Sequence, residues 1–225
     1  MSSTQLYNNI FSSNKESLLS GNISVDDYLI TNKQDNRLGI SLIISINSIK
    51  SQYEKLITFL NNLEPDQYYY PFSDLHITIF DYIKGNPSYT QNNELETVFN
   101  ELTLKALHEQ TAFNIKFKGV TFSNEAGLLQ GYDNNILVLI RQKIRQLMDY
   151  YGVKNDERYK SESAHVTFCR FKSPLKNPDK LVSLIAGNRD YYIGNEEVTE
   201  IQLVEHDWYN KQEKRRIINT YKLSR

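Results

Sequence analysis

The sequence of 225 residues contains one cysteine, Cys169, and almost no net charge. A single cysteine excludes an internal disulfide and a zinc site built from several cysteines. A formal net charge of −1 provides no overall field towards DNA or an anionic membrane, so contact with nucleic acid would need a local patch. The longest apolar run, roughly Ile40 to Ile46, is far shorter than the ~20 residues of a membrane-spanning helix. No basic segment followed by an apolar one marks a secretory signal, and we expect a cytoplasmic protein with no membrane contact.

The composition is that of a globular chain with a real core, because 40% of the residues are apolar and 24% are charged. Residues 1–36 differ from the rest in being polar and rich in Ser and Asn. Their weak helical pattern fits an extension packed on the main body, and a mobile arm fits almost as well. The sequence assigns this extension no role.

Apolar periodicity from residue 38 onward predicts helices and strands in two similar halves. Helices are predicted at residues 49–63, 93–109, 136–150 and 177–186. Strands are predicted at residues 39–46, 75–83, 113–122, 127–131, 163–171, 198–206 and 216–223. This order predicts an α+β domain over residues 37–225. Its two βα lobes, roughly 37–125 and 126–225 with possible strand exchange, would be related by a pseudo-twofold axis and face each other across a central cleft.

One short pattern occurs once in each half: a histidine and a threonine two positions apart within an apolar strand. The two copies are Leu75-His76-Ile77-Thr78-Ile79 and Ala164-His165-Val166-Thr167-Phe168. Residues i and i+2 of a strand project from the same face, so each strand would present one imidazole and one hydroxyl opposite an apolar back. By composition alone, two such pairs among four histidines would arise about 1–2% of the time.

Two imidazoles and two hydroxyls in one cleft are suited to cleaving a phosphodiester. In-line displacement at phosphorus needs a base for the incoming oxygen and an acid for the leaving oxygen. Histidine can take either role near neutral pH, and threonine hydroxyls can donate hydrogen bonds to the oxygens where negative charge accumulates. Such a site would need no metal and no other cofactor, and no metal-ligand spacing is seen around His76 and His165.

The paired motifs resemble those of the 2H phosphoesterase superfamily, which includes the RNA 2',3'-cyclic phosphodiesterases, also called 2'-5' RNA ligase-like proteins. The resemblance covers roughly residues 38–223, including the helix before each motif and the terminal strand pair. It implies two antiparallel sheets with His76 and His165 as catalytic residues across a central cleft. It also implies that Arg170, five positions after His165, contacts phosphate together with Thr78 and Thr167.

Two features of the motifs bear on this resemblance. In a regular strand Arg170 would face away from His165, so its contact with phosphate requires a bulge, a twist or a strand end. The first motif has Asp81 at the corresponding position, which would make the site electrostatically asymmetric. Basic residues do not cluster near the motifs.

Further candidates for the site are aromatic, histidine and cysteine side chains. Tyr70, Phe72 and Tyr132 lie near the motif strands and are candidates for stacking on a base, although core packing is the commoner role of such residues. His108 and His206 lack the threonine pattern, and structural or solvated roles are expected for both. Cys169 is expected to be a small buried filler rather than a nucleophile.

The leading hypothesis is a metal-independent phosphodiesterase of the 2H type, acting on 2',3'-cyclic phosphate or 2'-5'-linked nucleotide or RNA ends. His165 would activate water and His76 would protonate the leaving oxygen, although nothing in the sequence orders the two. Two alternatives stay open: hydrolysis of cyclic or 2'-5' signalling oligonucleotides, or ligation, at the same site; and a nucleotide- or RNA-binding module without catalysis. We expect a monomer with a nucleotide or RNA-end substrate and no stable protein partner.

Overall fold

A computed structural model describes residues 2–31, 34–157 and 160–225. Its helices are α1 (Ser3–Ser20), α2 (Asp27–Ile30), α3 (Lys50–Leu63), α4 (Asn93–Ala106), α5 (Ile136–Tyr150) and α6 (Pro178–Gly187). Its strands are β1 (Leu38–Ser45), β2 (Tyr68–Tyr69), β3 (His76–Asn86), β4 (Phe113–Phe122), β5 (Ala126–Tyr132), β6 (Val166–Arg170), β7 (Tyr192–Val198), β8 (Glu200–Asp207) and β9 (Arg216–Lys222). In this described part of the chain, no helix combines the length and apolarity needed to cross a bilayer.

The strands form two antiparallel sheets, which confirms the predicted α+β class. The first sheet has the order β3-β1-β8-β9 and the second the order β2-β6-β5-β4-β7. Each sheet therefore takes strands from both halves of the chain. The expected division between residues 125 and 126 does not separate the sheets, because β4 and β5 on its two sides are paired neighbours in the second sheet.

The predicted elements form where the apolar pattern was strongest. Helix α5 keeps its predicted bounds, since its buried residues recur at helical spacing along one face: Leu137, Ile140, Arg141, Ile144 and Met148. Strand β7 was not predicted. Its sequence Tyr-Ile-Gly-Asn-Glu-Glu-Val carries a glycine and two glutamates, and the pairing with β4 stabilises it as a strand.

The N-terminal extension packs against the main body through helix α1. Tyr7 and Leu18 are fully buried. The Tyr7 hydroxyl donates to the carbonyl oxygen of Gly131 at 3.0 Å and accepts from the Gly131 amide at 3.1 Å. Of the two interpretations of this segment, the packed extension is therefore the one the structure shows. Met1, Asn32 and Lys33 lie outside the described residues.

Candidate active site

The two histidine–threonine motifs meet in one cleft. His76 and Thr78 come from β3 of the first sheet; Thr167 comes from β6 of the second, with His165 just before it. All four side chains line the same cavity, of about 130 Å³, together with Arg170. The structure thus places two imidazoles, two hydroxyls and one guanidinium around a space that is too small for a whole nucleotide but adequate for a phosphate group.

Alternation along each strand explains why these side chains face the cleft. Ile77 on β3 and Val166 on β6 have no exposed surface, whereas the adjacent His and Thr are half-buried. The apolar residues are fixed in the core, and this leaves the polar ones on the opposite face. The packing of each strand therefore determines the direction of its imidazole.

A bulge follows the threonine in both motifs. Opposite β1, Thr78 pairs with Ile43 and Phe80 pairs with Leu42, so Ile79 is an extra residue. Opposite β5, Thr167 pairs with Leu128 and Cys169 pairs with Gly127, so Phe168 is the extra residue. Each extra residue inverts the alternation beyond it.

The bulges bring the residue five positions after each histidine to the cleft face. Asp81 and Arg170 both line the cavity, while Cys169 is buried. Burial also raises the pKa of the Cys169 thiol well above its usual range, so this side chain behaves as a core residue. Arg170 thus reaches the face of the strand that carries His165 because of a bulge, and Asp81 reaches the face that carries His76 in the same way.

The imidazole of each motif is oriented through Nδ1 by the residue two positions before it. Nδ1 of His76 lies 2.8 Å from the carbonyl oxygen of Asp74, and Nδ1 of His165 lies 2.6 Å from Oγ of Ser163. A carbonyl oxygen only accepts, so Nδ1 of His76 carries a hydrogen and Nε2 is left to exchange a proton. Ser163 can donate or accept, so His165 is free to hold its proton on either nitrogen.

Burial keeps both imidazoles neutral while no anion is bound. It lowers the pKa of His76 to about 3, helped by the neighbouring His206, and lowers the pKa of His165 to about 4, helped by the positive charges of Arg141 and Arg170. A bound anion would act in the opposite direction, since it stabilises a protonated imidazole.

We therefore expect anion binding to draw a proton into the site at pH 7. Both histidines are neutral without an anion, so a dianion that raises one pKa above 7 causes uptake of up to one proton. Sulfate is a suitable probe because it does not itself titrate near pH 7. Calorimetric titration in buffers of different ionisation enthalpy measures the uptake, with His108→Ala as a control because that side chain is exposed. Binding without proton uptake would contradict this account of the imidazoles.

A buried arginine on α5 connects the two motif strands. Nε of Arg141 donates to the carbonyl oxygen of Ile79 at 2.7 Å, and Nη2 donates to those of Thr78 at 3.0 Å and Ser163 at 2.8 Å. Arg141 has no exposed surface. One side chain therefore serves the bulge of the first motif and the segment that carries His165, which fixes the two histidine strands relative to each other.

The three candidate stacking residues occupy different places. Tyr70 lines the cleft, where its hydroxyl accepts from Nε of Arg170 at 3.5 Å, but only 3% of it is exposed. Phe72 packs on Tyr53 with ring centroids 5.9 Å apart, and Tyr132 packs on Tyr7 at 5.5 Å; neither borders the cleft. Phe72 and Tyr132 are therefore assigned to packing, and we do not retain them as base-stacking residues.

Trp208 and His206 are among the cavity-lining residues that were not predicted as parts of the site. Trp208 borders the cavity and stacks on the Arg37 guanidinium at 4.1 Å, and Gly85 permits this position because a Cβ there would lie 2.7 Å from the indole. His206, for which a structural or solvated role was expected, also lines the cavity. Neither residue lies in a repeated motif. The pairing of β8 with β1 places His206, and Trp208 directly follows β8.

No group of three metal-ligating side chains is found within residues 2–31, 34–157 and 160–225. The histidines are instead hydrogen-bonded to neighbouring protein groups as described above.

Comparison with solved structures shows what this arrangement resembles. The chain is similar to TT0787 of Thermus thermophilus, with 14% sequence identity, a TM-score of 0.57, and coverage of 83% of this chain and 97% of that one. It is similar to E. coli LigT in complex with 3'-AMP, with 14% identity, a TM-score of 0.55, and coverage of 85% and 100%. The chain has the fold of the 2H phosphoesterases. The chain is also similar to the MHV ns2 PDE domain, with 12% identity, a TM-score of 0.50, and coverage of 76% of this chain and 98% of that one.

The resemblance inferred from the paired motifs is thus confirmed at the level of the 2H fold. No family model matches the sequence, and no curated protein does so. The likeness to these structures lies in the three-dimensional fold.

Proposed function

We propose that this chain is a phosphodiesterase that uses His76 and His165 as general acid and base. The observation that carries the proposal is that both histidine–threonine motifs and Arg170 line one cleft. The 2H fold supports an enzyme of this class.

The reaction is an in-line displacement by water at phosphorus. One imidazole, which we assign to His165, accepts a proton from water as its oxygen bonds to phosphorus. His76, protonated when the anion is bound, donates its proton to the leaving oxygen as the second P–O bond breaks. The hydrogen bonds at Nδ1 of both residues are compatible with the reverse assignment as well. The site then returns to its starting state after one proton moves from His165 to His76 through solvent.

The phosphate would be held by three side chains. Thr78 and Thr167, on opposite walls, can each donate a hydrogen bond to a non-bridging oxygen, and Arg170 supplies a positive charge beside them. These donors are worth most where charge develops in the transition state. Arg170 is itself positioned by Tyr70, and its guanidinium carbon lies 5.7 Å from the Trp208 ring centroid.

The space around the phosphate site favours a nucleotide substrate. A second cavity of about 450 Å³ shares Ser161, His165, Thr167 and Arg170 with the first, and Leu6, Ile10 and Asn14 of α1 also line it. A cavity of this size can hold a nucleoside. LigT, which is similar in fold, has been crystallised with 3'-AMP. We therefore propose that the substrate is a 2',3'-cyclic phosphate or a 2'-5'-linked nucleotide or RNA end, whose nucleoside occupies this groove beside α1.

Turnover of three substrate classes tests this function. We expect cleavage of a 2',3'-cyclic mononucleotide or of 2'-5' oligoadenylate, with cyclic dinucleotides as the comparison, and full activity in EDTA because two imidazoles supply the acid and base. If the cavity beside α1 holds a second nucleoside in addition to the one at the phosphate, linear 2'-5' substrates would be preferred over 2',3'-cyclic mononucleotides. Loss of activity on chelation, restored by a divalent cation, would contradict the two-histidine mechanism.

A further inference from the structure

Three polar side chains form a continuous hydrogen-bonded chain in the cleft wall of the first sheet. Oδ1 of Asp81 on β3 lies 2.6 Å from Oγ of Ser41 on β1. Oγ of Ser41 lies 2.8 Å from Nε2 of His206 on β8, and Nδ1 of His206 lies 2.6 Å from the carbonyl oxygen of Asp207. All three line the same cavity as His76, whose ring centroid is 6.2 Å from that of His206.

Counting hydrogens shows how this chain is protonated. The Asp207 carbonyl only accepts, so Nδ1 of His206 carries a hydrogen. Ser41 has one hydroxyl hydrogen and two short contacts, so it can supply only one of them. The other contact needs a hydrogen from Nε2 of His206 or from the Asp81 carboxyl. Both arrangements hold one proton more than an Asp81 carboxylate beside a neutral His206, and both carry no net charge.

The surroundings favour the same neutral state. Burial raises the pKa of Asp81 and lowers the pKa of His206, so each group resists being charged alone. The Ser41 hydroxyl between them lets the proton pass from one to the other. Among the described residues, the charged or titratable groups around this chain include His76, Arg141, Glu157, Asp207 and Arg215, and Lys84 lines the same cavity.

The position of Asp81 gives this neutral state a consequence for binding. Asp81 occupies in the first motif the place that Arg170 occupies in the second, and both face the cavity. A bare carboxylate there would repel a phosphate bound between the two motifs, because like charges in a half-buried site are only partly screened. A protonated Asp81–Ser41–His206 chain removes this repulsion.

We propose that Asp81, Ser41 and His206 store one proton that keeps the first wall of the cleft neutral and so permits an anionic phosphodiester to bind opposite Arg170. The inference rests on the proposed phosphodiesterase function. The three act as positioning residues, because they set the charge that the phosphate meets without exchanging a proton with the reacting atoms. Alkaline loss of the stored proton weakens substrate binding rather than the chemical step.

His206→Gln tests the store, because glutamine keeps a donor for Ser41 but has no titratable proton. Ser41 then donates to an Asp81 carboxylate, and the wall carries a net negative charge. We expect KM at pH 7 to rise about tenfold with a smaller change in kcat. Adding Asp81→Asn removes that charge, so the double variant should recover most of the affinity and show a KM that no longer rises with alkaline pH. A purely structural role for His206 would not give this rescue.

The affinity for inorganic sulfate, measured by calorimetry, supplies a readout that does not depend on turnover. His108→Ala serves as the matched control, since this exposed histidine lies outside the cleft. The proton store is overturned if His206→Gln binds sulfate as tightly as the unmodified protein, or if the double variant binds no better than His206→Gln. Turnover that survives loss of His76 and His165 would instead overturn the proposed function, and the sulfate result would stand separately.

Discussion

Replacing His76 or His165 by alanine is expected to lower kcat for a natural nucleotide diester by about 10²–10⁴-fold each, with the fold retained. Both imidazoles line the phosphate-sized cavity, and each is the only general acid or base that we assign to its side of the phosphorus. The double variant should be little worse than the poorer single one, because residues that act in one step are not additive. Steady-state turnover with circular dichroism as a fold check measures this.

The leaving group separates the roles of the two histidines. A p-nitrophenyl phosphodiester needs no protonation as it departs, so a variant that lacks only the acid should keep most of its turnover on that substrate. We expect this behaviour from His76→Ala and loss on both substrates from His165→Ala; the opposite result would exchange the two roles. His108→Ala is the matched control, since that side chain is exposed. Unchanged biological output in both histidine variants, with nucleotide binding retained, would instead identify a binding module.

Replacing Arg141 by methionine should lower the free energy of unfolding by about 3–5 kcal/mol and reduce activity even where the protein is folded. The substitution leaves the buried carbonyl oxygens of Thr78, Ile79 and Ser163 without the donors that now serve them. Each unpaired buried acceptor costs about 1–3 kcal/mol, and relaxation or water entry recovers part of it. Chemical denaturation measures the first effect, and kcat well below the melting temperature measures the second.

Two further variants keep the Arg141 prediction decisive. Lys143→Met removes an exposed charge from the same helix and should change neither quantity. Arg141→Lys keeps the charge but cannot reach all three carbonyl groups. Its stability and kcat should lie between those of the unmodified protein and those of Arg141→Met. It takes the place of Arg141→Met if that variant is too unstable to study. If Arg141→Met unfolds at the denaturant concentration of the unmodified protein and turns over normally, the two motif strands are held by other contacts.

Much of this fold follows from local pattern in the sequence. Helix α5 and strand β4 have their predicted bounds because their apolar residues repeat cleanly with periods near 3.6 and 2. The two histidine–threonine strands were recognisable because the same short pattern occurs twice. Strand β7 was missed because its glycine and glutamates give little apolar signal, and its pairing partner β4 is distant in the chain.

The composition of the candidate site was only partly predictable. His206 and Trp208 reach it at the end of β8, and Arg141 supports the motif strands from α5; no local pattern relates them to His76 or His165. The proximity of Phe72 and Tyr132 to the motif strands was misleading, because each packs against another aromatic ring away from the cleft. Sequence spacing predicts which face of a strand a residue occupies, whereas the residues that this face contacts depend on the tertiary fold.

The paired bulges have a consequence for recognising relatives of this chain. An unbulged strand would present its fourth residue after the histidine on the same side, where this chain presents the fifth, Asp81 or Arg170. A one-residue deletion at Ile79 or Phe168 would thus preserve the functional surface while shortening the interval between the histidine and Asp81 or Arg170 by one residue. Search patterns with a fixed interval would overlook such sequences, so the interval should be allowed to vary by one.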